Sequence, residues 1–496
     1  MPSPAFTALA TAAARIADLD AALGLMGWDQ EVNLAPGSGE RRGRQMGTLA
    51  ALRHRLLSDE LKPALARAQD AGAADAFEAK NLAQIAWGLD RALKLPDAFV
   101  HELTIATSHA QQAWEQAKRT SDFATFRPHL ETILSLKRKE AELYGYAAHP
   151  YDALLEGYEP GGTTASIRGL FDALLPPLRE LLAWVKTRPQ VDDAPLRQPI
   201  AEDRQWAYSL AVLRQLGYDF NRGRQDKSTH PFSTGLGMED VRITTHLQEH
   251  DLQAMLYSTI HECGHALYEQ GLNPAHYGLP AAEACSLSIH ESQSRIWENN
   301  VGRGLPFLTH QLSALQELYP DRLAGRTAQD VFRMVNRVEP SLIRIQADEL
   351  TYHLHILLRF ELEVALIGGE LSVADLPAAW NERFEALMGV RVPDHAHGCL
   401  QDVHWSHGSF GYFPTYTLGS LYAAQLYAAA ERNEPDMGAH IAAGDVSGLH
   451  DYLQRNVYAH GRLYRSDDLC RLATGEGLNP AYFHRYLRTK LESVYS

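Results

Sequence analysis

Residues 251–270 read DLQAMLYSTIHECGHALYEQ, and the reading of the whole chain starts from this stretch. Leu252, Met255, Leu256, Ile260, Cys263 and Leu267 recur mostly three or four residues apart, Asp251 stands near the start, and Gly271 and Pro274 follow the end. That pattern predicts a helix. His261 and His265 are four residues apart and therefore share a face, with Glu262 beside them. Two imidazoles on a largely apolar segment are costly unless a metal or hydrogen bonds satisfy them. The spacing fits two ligands of one zinc ion and a carboxylate that acts on a water there. Two core histidines bonded to backbone are the alternative, and the helical context favours the metal.

A catalytic zinc site needs a third protein ligand and an open fourth position. Glu291 follows His265 by 26 residues in SLSIHESQSR, residues 286–295, which reads as a second helix starting after Pro280 and ending before Gly302. A short helix-loop-helix would bring it under the metal. His290 is the rival ligand, because neighbours on a helix point about 100° apart and only one of the two can face the ion.

Composition narrows the class. The 496 residues carry a formal charge of −15, which disfavours nucleic acid as a partner, since phosphate binding needs a basic surface. No run approaches the roughly 20 apolar residues of a membrane helix. Met1 to Leu23 lacks a positive region ahead of its alanines, carries Arg15, Asp18 and Asp20, and reads as an amphipathic helix of the mature protein. Cys263, Cys285, Cys399 and Cys470 show no CxxC spacing, so neither a disulfide framework nor a cysteine zinc site is signalled and a reducing cytoplasm is the expectation. Helical periodicity recurs almost throughout, without a low-complexity linker or internal repeat. Soft boundaries fall at Pro189 to Pro199 and around Asn221 to Gly237. The expected architecture is mainly α, an elongated helical body with lobes around a cleft and one short strand. It forms a single catalytic domain over 1–496, with an N-terminal helical lobe of about 1–190 and a metal-site core of about 225–425.

Three further segments offer groups to such a site. Asp240, Arg242 and Thr244 alternate with Val241 and Ile243, predicting a short strand whose edge would take an extended peptide; an Asp–Arg pair that staples a loop is the alternative. Pro340 to Ile367 reads as one long helix closed by Gly368 and Gly369, with Arg344, Asp348, Tyr352, His355, Arg359 and Glu363 in a polar stripe along a water-filled cleft. Arg344 there would pair with a carboxylate, either a substrate's or that of Asp348. Residues 398–416, GCLQDVHWSHGSFGYFPTY, are rich in glycine and aromatics and suit a loop whose tyrosine and histidine stabilise a developing oxyanion, or one that plugs the core.

Taken together these segments resemble the thermostable metallocarboxypeptidases of the carboxypeptidase Taq type. The resemblance rests on His230-Pro231-Phe232, Asp240-x-Arg242-x-Thr244, His261-Glu262-x-x-His265, His290-Glu291-Ser292-Gln293, Ile343-Arg344-x-x-Ala347-Asp348-Glu349-x-Thr351-Tyr352, Leu400-Gln401-Asp402-x-His404-Trp405 and Gly411-Tyr412-Phe413-Pro414-Thr415-Tyr416, with Gly27-Trp28-Asp29-Gln30 near the N-terminus. It spans nearly the whole chain. It implies an almost entirely helical fold similar to the angiotensin-converting-enzyme and neurolysin peptidases, with a deep groove closed at one end. It also implies a homodimer, one zinc per subunit with cobalt as a substitute, and removal of single residues from peptide C-termini. His261, His265 and Glu291 would be the metal ligands and Glu262 the general base. Arg344 would hold the terminal carboxylate, His404 and Tyr416 would stand near the tetrahedral intermediate, and Asp240, Arg242 and Tyr412 would contact substrate. Cys263 departs from the pattern, since an aromatic residue often follows the catalytic glutamate, and it raises the question of oxidation sensitivity. A zinc endopeptidase or dipeptidyl carboxypeptidase with the same chemistry is the near alternative; a non-catalytic peptide-binding protein is the remote one, which Glu262 argues against.

Overall fold

The computed structural model describes residues 2–496, which are mostly helical with one three-stranded sheet. The chain forms two compact units, each assembled from separated stretches. The first comprises the chain up to Asp90, Asp192–Val335 and Tyr422–Leu478; the second comprises Arg91–Val191, Asn336–Leu421 and Asn479–Ser496.

In the first unit the N-terminal helix is Pro4–Val32, longer than its amphipathic pattern predicts. The Ser3 hydroxyl accepts the Phe6 N–H, proline occupies the first turn, and Phe6, Leu9, Ala12, Ala13 and Ile16 bury one face. The helix runs on through Gly24, where a Cβ would stand 2.9 Å from the Leu236 side chain. The helix that bears the histidine motif, Leu252–Gly271, starts as its sequence predicts, with the Asp251 carboxylate accepting the Ala254 N–H at 2.9 Å. It is buried on several sides, which explains why its apolar residues do not form a single clean stripe.

The strand predicted at Asp240 to Thr244 exists as β3, Val241–Thr245, but it does not stand alone. β1 (Gln225–Lys227) pairs with it in parallel and β2 (Ser233–Gly235) antiparallel, in the order β1-β3-β2. With both edges occupied, β3 has none to offer an extended peptide. The Gly/Arg/Ser-rich stretch around Asn221 to Gly237, read as a soft boundary, carries the two edge strands, whose three-residue length leaves no usable alternation. Thr245 and Thr259 share a hydroxyl hydrogen bond of 2.7 Å that ties the sheet to the motif helix.

In the second unit the long helix expected over Pro340 to Ile367 is only Tyr352–Gly368. Asp348 accepts from the N–H groups of Glu339, Leu350 and Thr351 and from the Thr351 hydroxyl, a local arrangement that competes with helix and delays its start. Arg344 therefore sits outside that helix, in a single 3-10 turn, Arg344–Gln346. The remaining stripe residues His355, Arg359 and Glu363 are fully buried, so the stripe faces a hydrogen-bonded interior and not a water-filled cleft.

Glu363 is the hub of that interior. Its carboxylate accepts from the Tyr151 hydroxyl (2.7 Å), the Trp405 indole N–H (2.9 Å) and the Gly411 N–H (3.1 Å), fastening the 398–413 segment to the helix. Burial raises its pKa to about 7, against these three donors, which favour the ionised form. An acid whose folded pKa exceeds its unfolded value stabilises the fold fully below the unfolded value, and that contribution is lost as pH rises through the folded one. Denaturant titrations from pH 4.5 to 7 should show wild type losing on the order of 3 kcal/mol more stability than Glu363→Gln. Parallel curves for the two proteins would contradict this assignment.

Candidate metal centre and active site

Among the described residues one group of donors is arranged for a metal ion: His261, His265 and Glu291, whose donor atoms lie within 4.8 Å of one another. Glu291 Oε2 is 3.6 Å from His261 Nε2 and 3.5 Å from His265 Nε2. Two bonds of roughly 2.0–2.1 Å at a tetrahedral angle separate ligands by about 3.4 Å, so the donors fit one divalent ion. Both rings are aimed by their far nitrogens, His261 Nδ1 at Glu298 Oε2 (2.9 Å) and His265 Nδ1 at the His290 carbonyl (3.2 Å).

The helix that carries Glu291, Leu287–Arg295, starts later than predicted, at a Ser286 cap, and continues as a π-helical turn, Ile296–Gly302. It reaches the motif helix because of Gly264. A Cβ at that position would lie 2.6 Å from both the Gln293 carbonyl oxygen and the Ser294 Cα, so two backbones pass where no side chain fits. Of the two rival ligands, His290 turns its Nε2 to Glu269 Oε1 at 2.8 Å and stacks on the His265 ring at 4.5 Å, whereas Glu291 joins the two histidines in the donor group.

Two residues to which the sequence reading gave no role complete the centre. Arg295 donates to Glu291 Oε1 at 2.7 Å and to Glu298 Oε2 at 3.2 Å, and so links the acid ligand to the acid that orients His261. They lie four and seven residues after Glu291, a helical spacing that is visible in the sequence once Glu291 is taken as an inward-facing ligand. Burial opposes ionisation of Glu291, but Arg295 and the two histidines hold its carboxyl well below the usual range. Burial, with His290 adding to it, depresses His265 to about 3 and keeps it a neutral imidazole, the form that binds metal.

Burial raises the adjacent Glu262 carboxyl to about 7; His261 opposes the shift, Glu291 adds to it, and a hydrogen bond from Ser233 of β2 opposes it. Cys263 is fully buried and its thiol is pushed far up by desolvation, so the residue is a packed apolar group and not an oxidation-sensitive one.

In the second unit Arg344, His404, Tyr412 and Tyr416 come together. Tyr416 lies in the first turn of the helix Pro414–Asn433, not in a loop, and its hydroxyl is 3.2 Å from His404 Nε2. The His404 and Tyr412 rings are 5.4 Å apart, and the Arg344 guanidinium stands 5.0 Å from the Tyr416 ring. Burial depresses His404 to about 3 although Asp402 pulls the other way, so its imidazole is neutral. Arg344 does not pair with Asp348. Its Nε and Nη2 donate to Asp402 Oδ1 at 3.0 and 2.7 Å, and Nη1 donates to the Tyr352 hydroxyl. Asp240 and Arg242 pair with each other in a fork of 2.9 and 2.7 Å, with Arg242 over the Trp28 ring at 4.4 Å, which is the local staple that the sequence left open.

Two substitutions test how the centre is built. Gly264→Ala should cost about 1–3 kcal/mol of stability and weaken metal binding in chelator competition, because Glu291 is pushed out; unchanged affinity would mean that close approach does not place the ligand. Glu298→Ala should weaken metal retention about 10- to 100-fold, whereas wild-type retention would show that His261 needs no orienting partner.

Comparison with known proteins gives the family. The family model described as carboxypeptidase Taq (M32) metallopeptidase matches residues 8–491. Carboxypeptidase 1 of Bacillus subtilis is 37% identical over 489 residues, 97% of each chain, and thermostable carboxypeptidase 1 of Thermus thermophilus is 39% identical over 488 residues, 95% of each. The crystal structure of the M32 carboxypeptidase from Deinococcus radiodurans superposes with a TM-score of 0.96 at 38% identity, covering 99% of this chain and 100% of that one. With a His-His-Glu donor set and a family match over nearly its whole length, the chain belongs to the carboxypeptidase Taq (M32) family of metallopeptidases and is a metallocarboxypeptidase.

Proposed function

We propose that the chain is a zinc carboxypeptidase that removes single residues from the C-termini of peptides, with His261, His265 and Glu291 holding the metal and Glu262 as general base. The observation that carries this reading is the convergence of three buried or half-buried donors beside a buried carboxyl that no structural metal site would need. Two neutral imidazoles and a carboxylate suit zinc, with cobalt as a substitute. A bound divalent metal supplies Lewis acidity, making water a competent nucleophile near neutral pH and polarising the scissile carbonyl. Glu262 takes the proton of the attacking water and returns it to the leaving amine, and a base needs its ionised form to do so.

Arg344 anchors the substrate's terminal carboxylate, and Tyr416 with the neutral His404 donates to the oxyanion. Tyr412, Asp240 and Arg242 shape the substrate's surroundings, the last two as a pre-formed ion pair. The chain acts as one catalytic domain, which the family match over 8–491 supports, although the N-terminal lobe expected over about 1–190 and the core expected over about 225–425 are each divided between the two compact units. Its working form is a cytoplasmic homodimer. Four buried cysteines without disulfides suit a reducing compartment, and no helix among the described residues is long and apolar enough to cross a membrane.

Mass spectrometry of a free-acid peptide and its C-terminal amide, each incubated with zinc-loaded enzyme, tests the proposal. The expected result is a ladder of single-residue losses from the free acid alone. Internal fragments from both would indicate an endopeptidase, and dipeptide steps a dipeptidyl carboxypeptidase. Glu262→Gln should bind zinc at full stoichiometry and lose about 10²- to 10⁴-fold in turnover; retained turnover would remove Glu262 as the base.

A further inference from the structure

Around Asp402 the second unit holds more positive charge than one carboxylate balances. Arg344 donates to its Oδ1, and Arg359 donates from Nε to its Oδ2 at 2.7 Å. Lys118 Nζ donates to the neighbouring Gln401 carbonyl at 2.7 Å, close enough that Asp402 favours its charged form against the burial that lowers its pKa. The side chains of Arg344, Arg359 and Asp402 are 7%, 1% and 12% exposed, so water screens these charges little. The other titratable groups nearby do not restore the balance. His355 and His404 are kept neutral by burial, and burial likewise raises the Glu363 carboxyl to about 7 although its three donors and Arg359 favour the charged form, so Glu363 offsets the surplus only in part. A buried charge without a counter-ion is costly, so a retained surplus implies an anion that completes it.

The two arginines divide the work. Arg359 is fully buried and spends its donors on Asp402 Oδ2, on the His355 carbonyl (2.9 Å) and on Gln401 Oε1 (3.1 Å), and so cannot touch a peptide. Arg344 keeps one edge toward the Tyr352 hydroxyl and the Tyr416 ring. Were Arg359 absent, both oxygens of Asp402 would serve Arg344 and the pair would be close to neutral. We infer that Arg359 is a specificity-determining positioning residue: by taking one oxygen of Asp402 it prevents that carboxylate from cancelling Arg344, leaving a unit positive charge that the C-terminal carboxylate of a peptide neutralises. This rests on the reading of Arg344 as the carboxylate anchor.

The test measures KM, kcat and the preference for a free-acid peptide over its amide, on full-length metal-loaded enzyme, for Arg359→Met, Arg344→Met and the double variant Arg359→Met/Asp402→Asn, with metal content as a control. Arg359→Met should raise KM for the free acid at least tenfold, with a smaller effect on kcat, and shrink the acid-over-amide preference. The double variant should bring KM back to within threefold of wild type, because removing the now unopposed carboxylate restores the charge on Arg344; a merely structural role would not be repaired by losing a second polar partner. An unchanged preference in Arg359→Met, or no recovery in the double variant, overturns the inference. An unchanged preference in Arg344→Met would instead sink the anchor reading itself. Should Arg359→Met not fold, Arg359→Lys and Arg359→Gln decide: the first should hold KM within threefold and the second raise it, and equal values would overturn the inference.

Discussion

The centre depends on the passage of one backbone across another at Gly264. The Leu287–Arg295 helix comes so close to the motif helix that its Gln293 carbonyl oxygen and Ser294 Cα occupy the space a side chain would need. That contact sets the height at which Glu291 meets the two histidines, and packed backbones do not yield gradually. The π-helical turn that follows lies beyond Arg295, and it carries Glu298 to within 2.9 Å of His261 Nδ1. A wider turn next to a functional centre is a recurrent use of this geometry.

Charge is handled in opposite ways in the two units. At the metal centre Arg295 stands between two carboxylates, Glu291 and Glu298, and Arg303 reaches the other oxygen of Glu298 at 3.4 Å. Around Asp402 a single carboxylate is shared between two guanidiniums, and the surplus is positive. In each case the group between the like charges is what permits them to be buried together, since isolated buried charges would be neutralised or expelled.

Much of the metal centre was legible in the sequence. His261, Glu262 and His265 belong to one helix, where spacing alone dictates which groups share a face, and the cap at Asp251 marks where that helix begins. Glu291 was legible as one of two candidates, and the choice between it and His290 awaited Glu269, a partner from another helix. The stripe from Arg344 to Glu363 was read on the assumption of continuous helix. That assumption failed because Asp348 satisfies four nearby donors locally, which a periodicity count does not register. Asp402 stood in a quoted segment without a role, and its partners are 58 and 43 residues away.

The sequence by itself therefore determined what helical periodicity controls: a mainly helical chain, two imidazoles on one face with a carboxylate beside them, and the shared motifs that place it among metallocarboxypeptidases. Only the tertiary structure decided that Arg344 faces Asp402 and not Asp348, that β3 is a central strand without a free edge, and that Arg295 and Glu298 close the ligand network. The physical reason is range. Position on a helix face is fixed by residues three or four apart, whereas the partner of a buried charge or an unpaired strand edge is chosen by the free energy of leaving it unsatisfied, and that partner is supplied from wherever the chain returns.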